Sequence, residues 1–131
     1  MSYSQPWTCM YNFPVMDFGA TAGVTTHQIA GPAGKKGRLI EVGIITTEAF
    51  LDDTLEAAVE VGIIGDLDEH AKLNITDGTA INTVFNSGDD TDAIIDADIS
   101  ADTALQVTLT EGTDGSGVTG QGQVYVIIDW F

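Results

Sequence analysis

From Ala104 to Thr110 apolar and polar residues alternate one for one: Leu105, Val107 and Leu109 fall on one side of an extended chain, Gln106, Thr108 and Thr110 on the other. Successive side chains of a strand point to opposite faces, so this stretch predicts a strand with one buried face. GRLIEVGIITT, 37–47, is rich in branched residues and too interrupted by Gly for a good helix. AAVEVGII (57–64), AKLNI (71–75), AINTVF (80–85) and AIIDADI (93–99) are further strand candidates, and a first strand fits Thr25–Ala30. Asp77-Gly78 and the stretch Asn86, Ser87, Gly88 supply turns. The count reaches about eight strands, which predicts an all-β fold: an antiparallel β-sandwich, jelly-roll-like. One stretch reads differently. In TTEAFLDDTLEAA, 46–58, residues Phe50, Leu51, Leu55 and Ala58 would line one face of a short helix.

The last strand, within GQVYVIIDWF at 122–131, is apolar on both sides. Val124, Val126, Ile128 and Trp130 point one way, Tyr125, Ile127, Asp129 and Phe131 the other. A two-layer sandwich buries one face of each sheet. The second face, with its terminal aromatics, therefore needs another cover: a neighbouring chain, or alternatively a loop or the N-terminal segment of the same chain.

Residues 1–19, MSYSQPWTCMYNFPVMDFG, form a second anomaly, set apart from the sandwich domain at 20–131. Tyr3, Trp7, Tyr11, Phe13 and Phe18 are half of the ten aromatics in the chain, and Pro6 and Pro14 oppose regular structure. Extended, such an arm spans roughly 60 Å, against a radius of gyration of about 14 Å for the domain. It can reach a neighbour, where aromatics make strong contacts. The alternative is an edge strand laid on its own domain.

Composition narrows the partners. Four Lys and Arg stand against twenty carboxylates, a formal net charge of -16, which opposes nucleic-acid backbones and anionic membranes. No run of eighteen apolar residues spans a bilayer, and the N-terminus lacks the basic and apolar regions of a signal peptide. Cys9 is the single cysteine, so no internal disulfide forms.

No motif yields a catalytic set, cofactor or metal site. Gly115, Gly117 and Gly120 match a dinucleotide fingerprint literally, but a strand follows where a helix is required, so 113–122 reads as the long turn joining strand 104–110 to the last strand. GPAGKKG, 31–37, lacks the spacing and the hydroxyl of a phosphate loop. It leaves a basic spot, Lys35, Lys36 and Arg38, as a solvated turn or a docking point for an acidic neighbour. Asp89, Asp90, Asp92, Asp96, Asp98 and Asp102 raise the question of calcium, but Ala101 stands where an EF-hand needs Gly and Val107 where it needs Glu. A loop-borne calcium site of another kind stays open, but a solvated acidic edge is the simpler reading, and Asp66, Asp68, Glu69 and His70 read the same way. His27 and His70 have no partners at zinc spacing, and no base is placed to activate a serine or Cys9. These absences speak against an enzyme.

GRLIEVGIITTEAF, then DDTLEAAVEVGIIGDLDEHAKLNI, then the terminal GQVYVIIDWF, resemble the small decoration or cement proteins of tailed-bacteriophage heads. The resemblance runs over residues 37–131, most clearly in the strand after Gly37-Arg38 and in the Ile-Asp-Trp-Phe ending. It implies a virion structural protein: a β-sandwich that forms a homotrimer on the outer surface of the capsid and clamps neighbouring copies of the major capsid protein. The aromatic segment and the two-sided last strand, rather than the resemblance, make Tyr3, Trp7, Tyr11, Phe13, Phe18, Tyr125, Ile127, Trp130 and Phe131 the expected protein interface, with Lys35, Lys36 and Arg38 as docking charge. The alternative is a carbohydrate- or receptor-binding β-sandwich of an external virion component, with Trp7 or Tyr11 stacking on a sugar.

Overall fold

The computed structural model describes residues 7–18, 25–51, 57–110 and 119–131. Within them the chain is all-β, two antiparallel sheets laid against each other. The first sheet takes β1 (Trp7–Asn12), β10 (Thr119–Trp130), β4 (Gly37–Leu51) and β7 (Val84–Asn86) in that order; short β2 (Met16–Asp17) adds to β10 and β8 (Asp98–Ile99) to β4. The second sheet runs β3 (Thr25–Ala30), β9 (Ala104–Thr110), β5 (Ala58–Ile63), β6 (Asp66–Asn74).

The alternation read from the sequence decides which sides meet. Leu39, Val42, Ile44, Val124, Val126 and Ile128 of the first sheet face Ile29, Val59, Val61, Leu73, Leu105 and Val107 of the second, and all are buried. The β4–β10 ladder changes register once in this region. Ile128 lies opposite Leu39, but Ile127 lies opposite Glu41, so Ile40 is an extra residue. Such a bulge turns two consecutive side chains to one side: Ile40 and Glu41 both face outward, while Leu39 and Val42 stay in the core.

Trp130 closes one end of the core. Its indole rests against Gly31 and Gly37, where a Cβ would fall 2.4 Å and 2.7 Å from the ring. Its Nε1 donates to the Tyr11 hydroxyl at 2.8 Å, which satisfies the one polar atom of a side chain that is otherwise buried.

Four expectations change. Residues 46–51 continue β4 instead of starting a helix: Thr46 and Phe50 turn inward, and the Thr46 hydroxyl donates to Ala80 O at 2.7 Å and accepts from Thr83 N at 2.8 Å. Leu55 lies outside the described residues. The runs 80–85 and 93–99 are mostly outside strands, with strand only at 84–86 and 98–99 and a single bridge at Ile94. Thr108, expected at the solvent side of β9, is fully buried, in register between Thr26 and Glu60. Finally, of the two readings of the aromatic segment, the edge strand laid on its own domain holds at 7–12, and the segment does not stand off from the domain over 7–18. Pro6 and Pro14 flank a six-residue strand rather than preventing one, and β1 lies along β10 with Trp7 opposite Trp130 and Asn12 opposite Tyr125.

Candidate functional site

Residues opposite each other in antiparallel strands project to the same face, so the outer surface of the first sheet can be read row by row. Thr8, Asp129, Arg38 and Asp98 form a polar row, with the Thr8 hydroxyl on the Asp129 carboxylate and Arg38 3.8 Å from Asp98. The next row is apolar except for Glu41: Met10, Ile127 and, delivered by the bulge, Ile40 beside Glu41. Then come Asn12, Tyr125, Gly43 and Asn86. A second apolar row, Ile45 and Val84, lies beside Gln123. Asp17, Gln121 and Glu48 finish the face, with Gln121 donating to Asp17 at 3.2 Å. Met10, Ile40, Ile45 and Val84 are all exposed.

The outer face of the second sheet differs in kind. Thr26, Thr108, Glu60 and Lys72 make one row and Gln28, Gln106 and Gly62 the next. Both are polar or bare backbone. The first sheet thus carries four exposed apolar side chains in two bands, while the rows of the second are polar and partly covered, with Thr108 fully buried.

The expected interface residues divide sharply. Phe13, Phe18 and Trp130 are core. Phe13 stacks on His27 with ring centroids 5.4 Å apart, and Phe18 meets Phe50 edge-on at 4.7 Å. Phe13 and Phe18 read as arm aromatics in the sequence because nothing local shows that β1 and β2 lie on their own sheet. Tyr11 is half-buried against the core. Tyr125 is on the outer side, as expected, yet only 4% exposed: its own chain covers it. The ring lies over Gly43, and its hydroxyl donates to the Glu41 carboxylate at 2.6 Å. Burial first, and then that hydrogen bond, push the hydroxyl up to about 12. Ile127 is half-buried, while Trp7 and Phe131 remain exposed. Tyr3 lies outside the described residues. The sequence reading missed Met10, Ile40, Ile45 and Val84; the exposure of the last three follows from the bulge and the β7 pairing, which no local pattern reveals.

Protein-family models, curated proteins and solved structures were all compared with this chain, and none matches.

The acidic stretch is built into turns. The Asp89, Asp90 and Asp96 carboxylates accept from the backbone N–H groups of Asn86, Asp92 and Asp98. Asp102, at φ 60°, accepts from Gly34 N at 2.8 Å. Among the described residues no three acidic, His or Cys side chains converge as cation ligands. His70 is a buried structural residue: Nδ1 lies 2.8 Å from Asp96 O, and its carbonyl accepts from Ile95 and Asp96. Of the turn expected at 113–122, residues 113–118 lie outside the described residues, and 119–122 are strand instead, since β10 begins at Thr119.

Proposed function

We propose that the protein is a capsid decoration protein of a tailed-bacteriophage head, binding as a homotrimer to the outer surface of the shell and stabilising it. The observation that supports this is the outer face of the first sheet, which presents Met10, Ile40, Ile45 and Val84 in exposed bands around Ile127. Grouped exposed aliphatic side chains rimmed by polar rows mark a contact surface. In this reading the jelly-roll-like sandwich is a rigid block rather than an enzyme, the last strand and its neighbours meet a sister protomer, and the arm upstream of Trp7, Tyr3 included, contacts the major capsid protein. A component that binds the assembled lattice better than free subunits raises shell stability with occupancy, by mass action. A net charge of -16 suits a place outside the shell, away from packaged nucleic acid.

The test combines solution mass with shell binding. Sedimentation equilibrium should give three times the 13.8 kDa chain mass. Shells stripped of the protein should sediment with it when it is added back, and should then resist heating better. A monomer at every concentration that leaves shells bare and unchanged sinks the proposal.

A further inference from the structure

Lys35, Lys36 and Arg38 stand among Asp98, Asp102 and Asp129 at one end of the sandwich, so their charge is matched there and selects no partner. The side of the sandwich at β1 carries something more specific, a row of unused backbone groups.

Phe13 fixes the phase of the β1–β10 ladder, because its N–H donates to Val124 O at 3.1 Å. In an antiparallel pair, residues that exchange hydrogen bonds alternate with residues whose N–H and C=O point the other way. Two residues at a time back from Phe13, Tyr11 lies opposite Val126, Cys9 opposite Ile128 and Trp7 opposite Trp130, and these are the residues that bond to β10. Thr8, Met10 and Asn12 therefore turn their N–H and C=O groups off the edge of the sheet. All of them are exposed, and among the described residues no strand pairs with that side of β1.

Two of the other edges are blunted. Along β6, Lys72 N donates to Ala93 O and His70 O accepts from Ile95 and Asp96, while the rest of the strand carries Asp66, Asp68 and Glu69. β7 is only three residues long. The edge at β3 shows exposed Thr26 and Gln28 on its outer side, so a strand added there finds no apolar row to extend. β1 has none of these protections: its six residues, WTCMYN, hold no charge, proline or bulge, in a chain of net charge -16. An open, regular edge of this kind is a template for another strand.

We propose that the β1 edge is a strand-addition site, taking an extended and uncharged segment of a different polypeptide that continues the antiparallel sheet. The backbone of that segment pairs with Thr8, Met10 and Asn12, and its side chains follow from the alternation. The residue opposite Met10 joins the outer row of Met10, Ile127 and Ile40 and is apolar. Residues opposite Cys9 and Tyr11 turn inward, against side chains packed on the core, and are apolar as well. A second β1 is not the occupant, because two β1 edges pair about a two-fold axis and close at two chains. That exclusion rests on the homotrimer of the proposed function; the rest of the inference does not.

The probe is an end-blocked peptide, Thr-Val-Ile-Val-Thr, made in two N-methylated forms and titrated calorimetrically into the full chain. Methyl groups on both valines remove N–H groups that face away from β1; methyl groups on the isoleucine and the last threonine remove N–H groups that face it. The first form should bind, and the second should bind at least about tenfold more weakly. On the protein, Met10→Pro and Met10→Ala lose the same side chain, but only proline loses the outward amide. Proline is tolerated where an edge N–H faces solvent, so both variants should fold, and only Met10→Pro should lose the peptide. If Met10→Pro does not fold, the two methylated peptides still decide. Equal binding of the two forms, binding of neither, or a folded Met10→Pro that binds like Met10→Ala overturns the proposal. So does a Met10→Pro that alone lowers the mass of the assembly while Met10→Ala assembles like the wild type, because a second copy then holds the amide. A trimer that binds neither peptide sinks this inference alone, and a single chain that discriminates between them sinks the homotrimer alone.

Discussion

The Tyr125 ring lies across the backbone of Gly43, its partner in the β4–β10 ladder, so closely that a Cβ at 43 would sit 2.3 Å from the hydroxyl oxygen. Glycine is required here for closeness alone. Gly43→Ala must push the ring off the sheet and break its hydrogen bond to Glu41, at a cost of about 1–3 kcal/mol. Tyr125→Leu, which removes the clashing atoms, should recover part of that loss in the double variant. Urea midpoints of the four proteins in this cycle measure the coupling; additive effects would mean that the ring does not need the space.

The same hydroxyl sets an alkaline limit. In the unfolded chain it titrates near 10.0, in the fold at about 12. Between these values the unfolded state releases its proton first, so stability that is whole below pH 10 is lost as pH rises through 12. Burial raises the Tyr11 hydroxyl too, with the same sign. Tyr125→Phe should therefore make the stability profile flatter above pH 10 without abolishing its slope. A variant whose profile overlays the wild type would show that Tyr125 titrates normally.

Thr46 is a buried hydroxyl with a structural task. It holds the turn at 80–83 against β4 by donating to Ala80 O and accepting from Thr83 N. Thr46→Val keeps the shape and strands both partners, at a cost of about 1–3 kcal/mol. Thr46→Ser should cost less, since it keeps the hydrogen bonds. Thermal unfolding of the pair separates the two contributions; equal losses would place the stabilising effect in the methyl group.

The strands legible in the sequence are those whose own pattern carries the signal: Leu105 and Val107 alternate with polar residues, and β4 and β5 are dense in branched side chains. The N-terminal part of β6 was hidden because Asp66, Asp68 and Glu69 look like a loop, although charges are what an edge strand shows to solvent. Ile81 and Ile95 misled in the opposite direction: both are exposed in turns, and short apolar runs do not distinguish a strand from its connection. The two-sided apolar character of β10 was visible, but its consequence was not. Tyr125 finds cover from Gly43 and Glu41, residues more than eighty positions away, and such pairing belongs to the sheet rather than to any segment. Phe13 and Phe18 were assigned outward for the same reason.

Asp102 adopts φ 60°, a left-handed conformation that Asp and Asn tolerate better than other non-glycine residues. Its carboxylate also accepts from Gly34 N. Asp102→Val should lose both, about 1–3 kcal/mol, whereas Asp102→Asn keeps the conformation and an accepting oxygen and should cost far less. Because neighbouring carboxylates likewise cap backbone N–H groups, calcium at millimolar concentration should leave the melting temperature of the wild type unmoved. A clear rise would mean that these turns rearrange around a cation.

The two outer faces predict opposite responses to the same change. Ile40 and Val84 are exposed on the first sheet, Thr26 and Gln28 on the second, and none is held in the core. Exposed substitutions of this kind change stability by about 0.5 kcal/mol or less, so Ile40→Asp with Val84→Asp, and Thr26→Asp with Gln28→Asp, should both fold. If the bands of the first sheet form the protomer contact, the first pair should dissociate the assembly to single chains, because each aspartate must be desolvated against an apolar partner. The second pair should leave the assembly intact and serves as the control for two added negative charges. Sedimentation equilibrium decides it: if both variants assemble like the wild type, the contact lies elsewhere, and if both fall apart, the cause is net charge rather than the face.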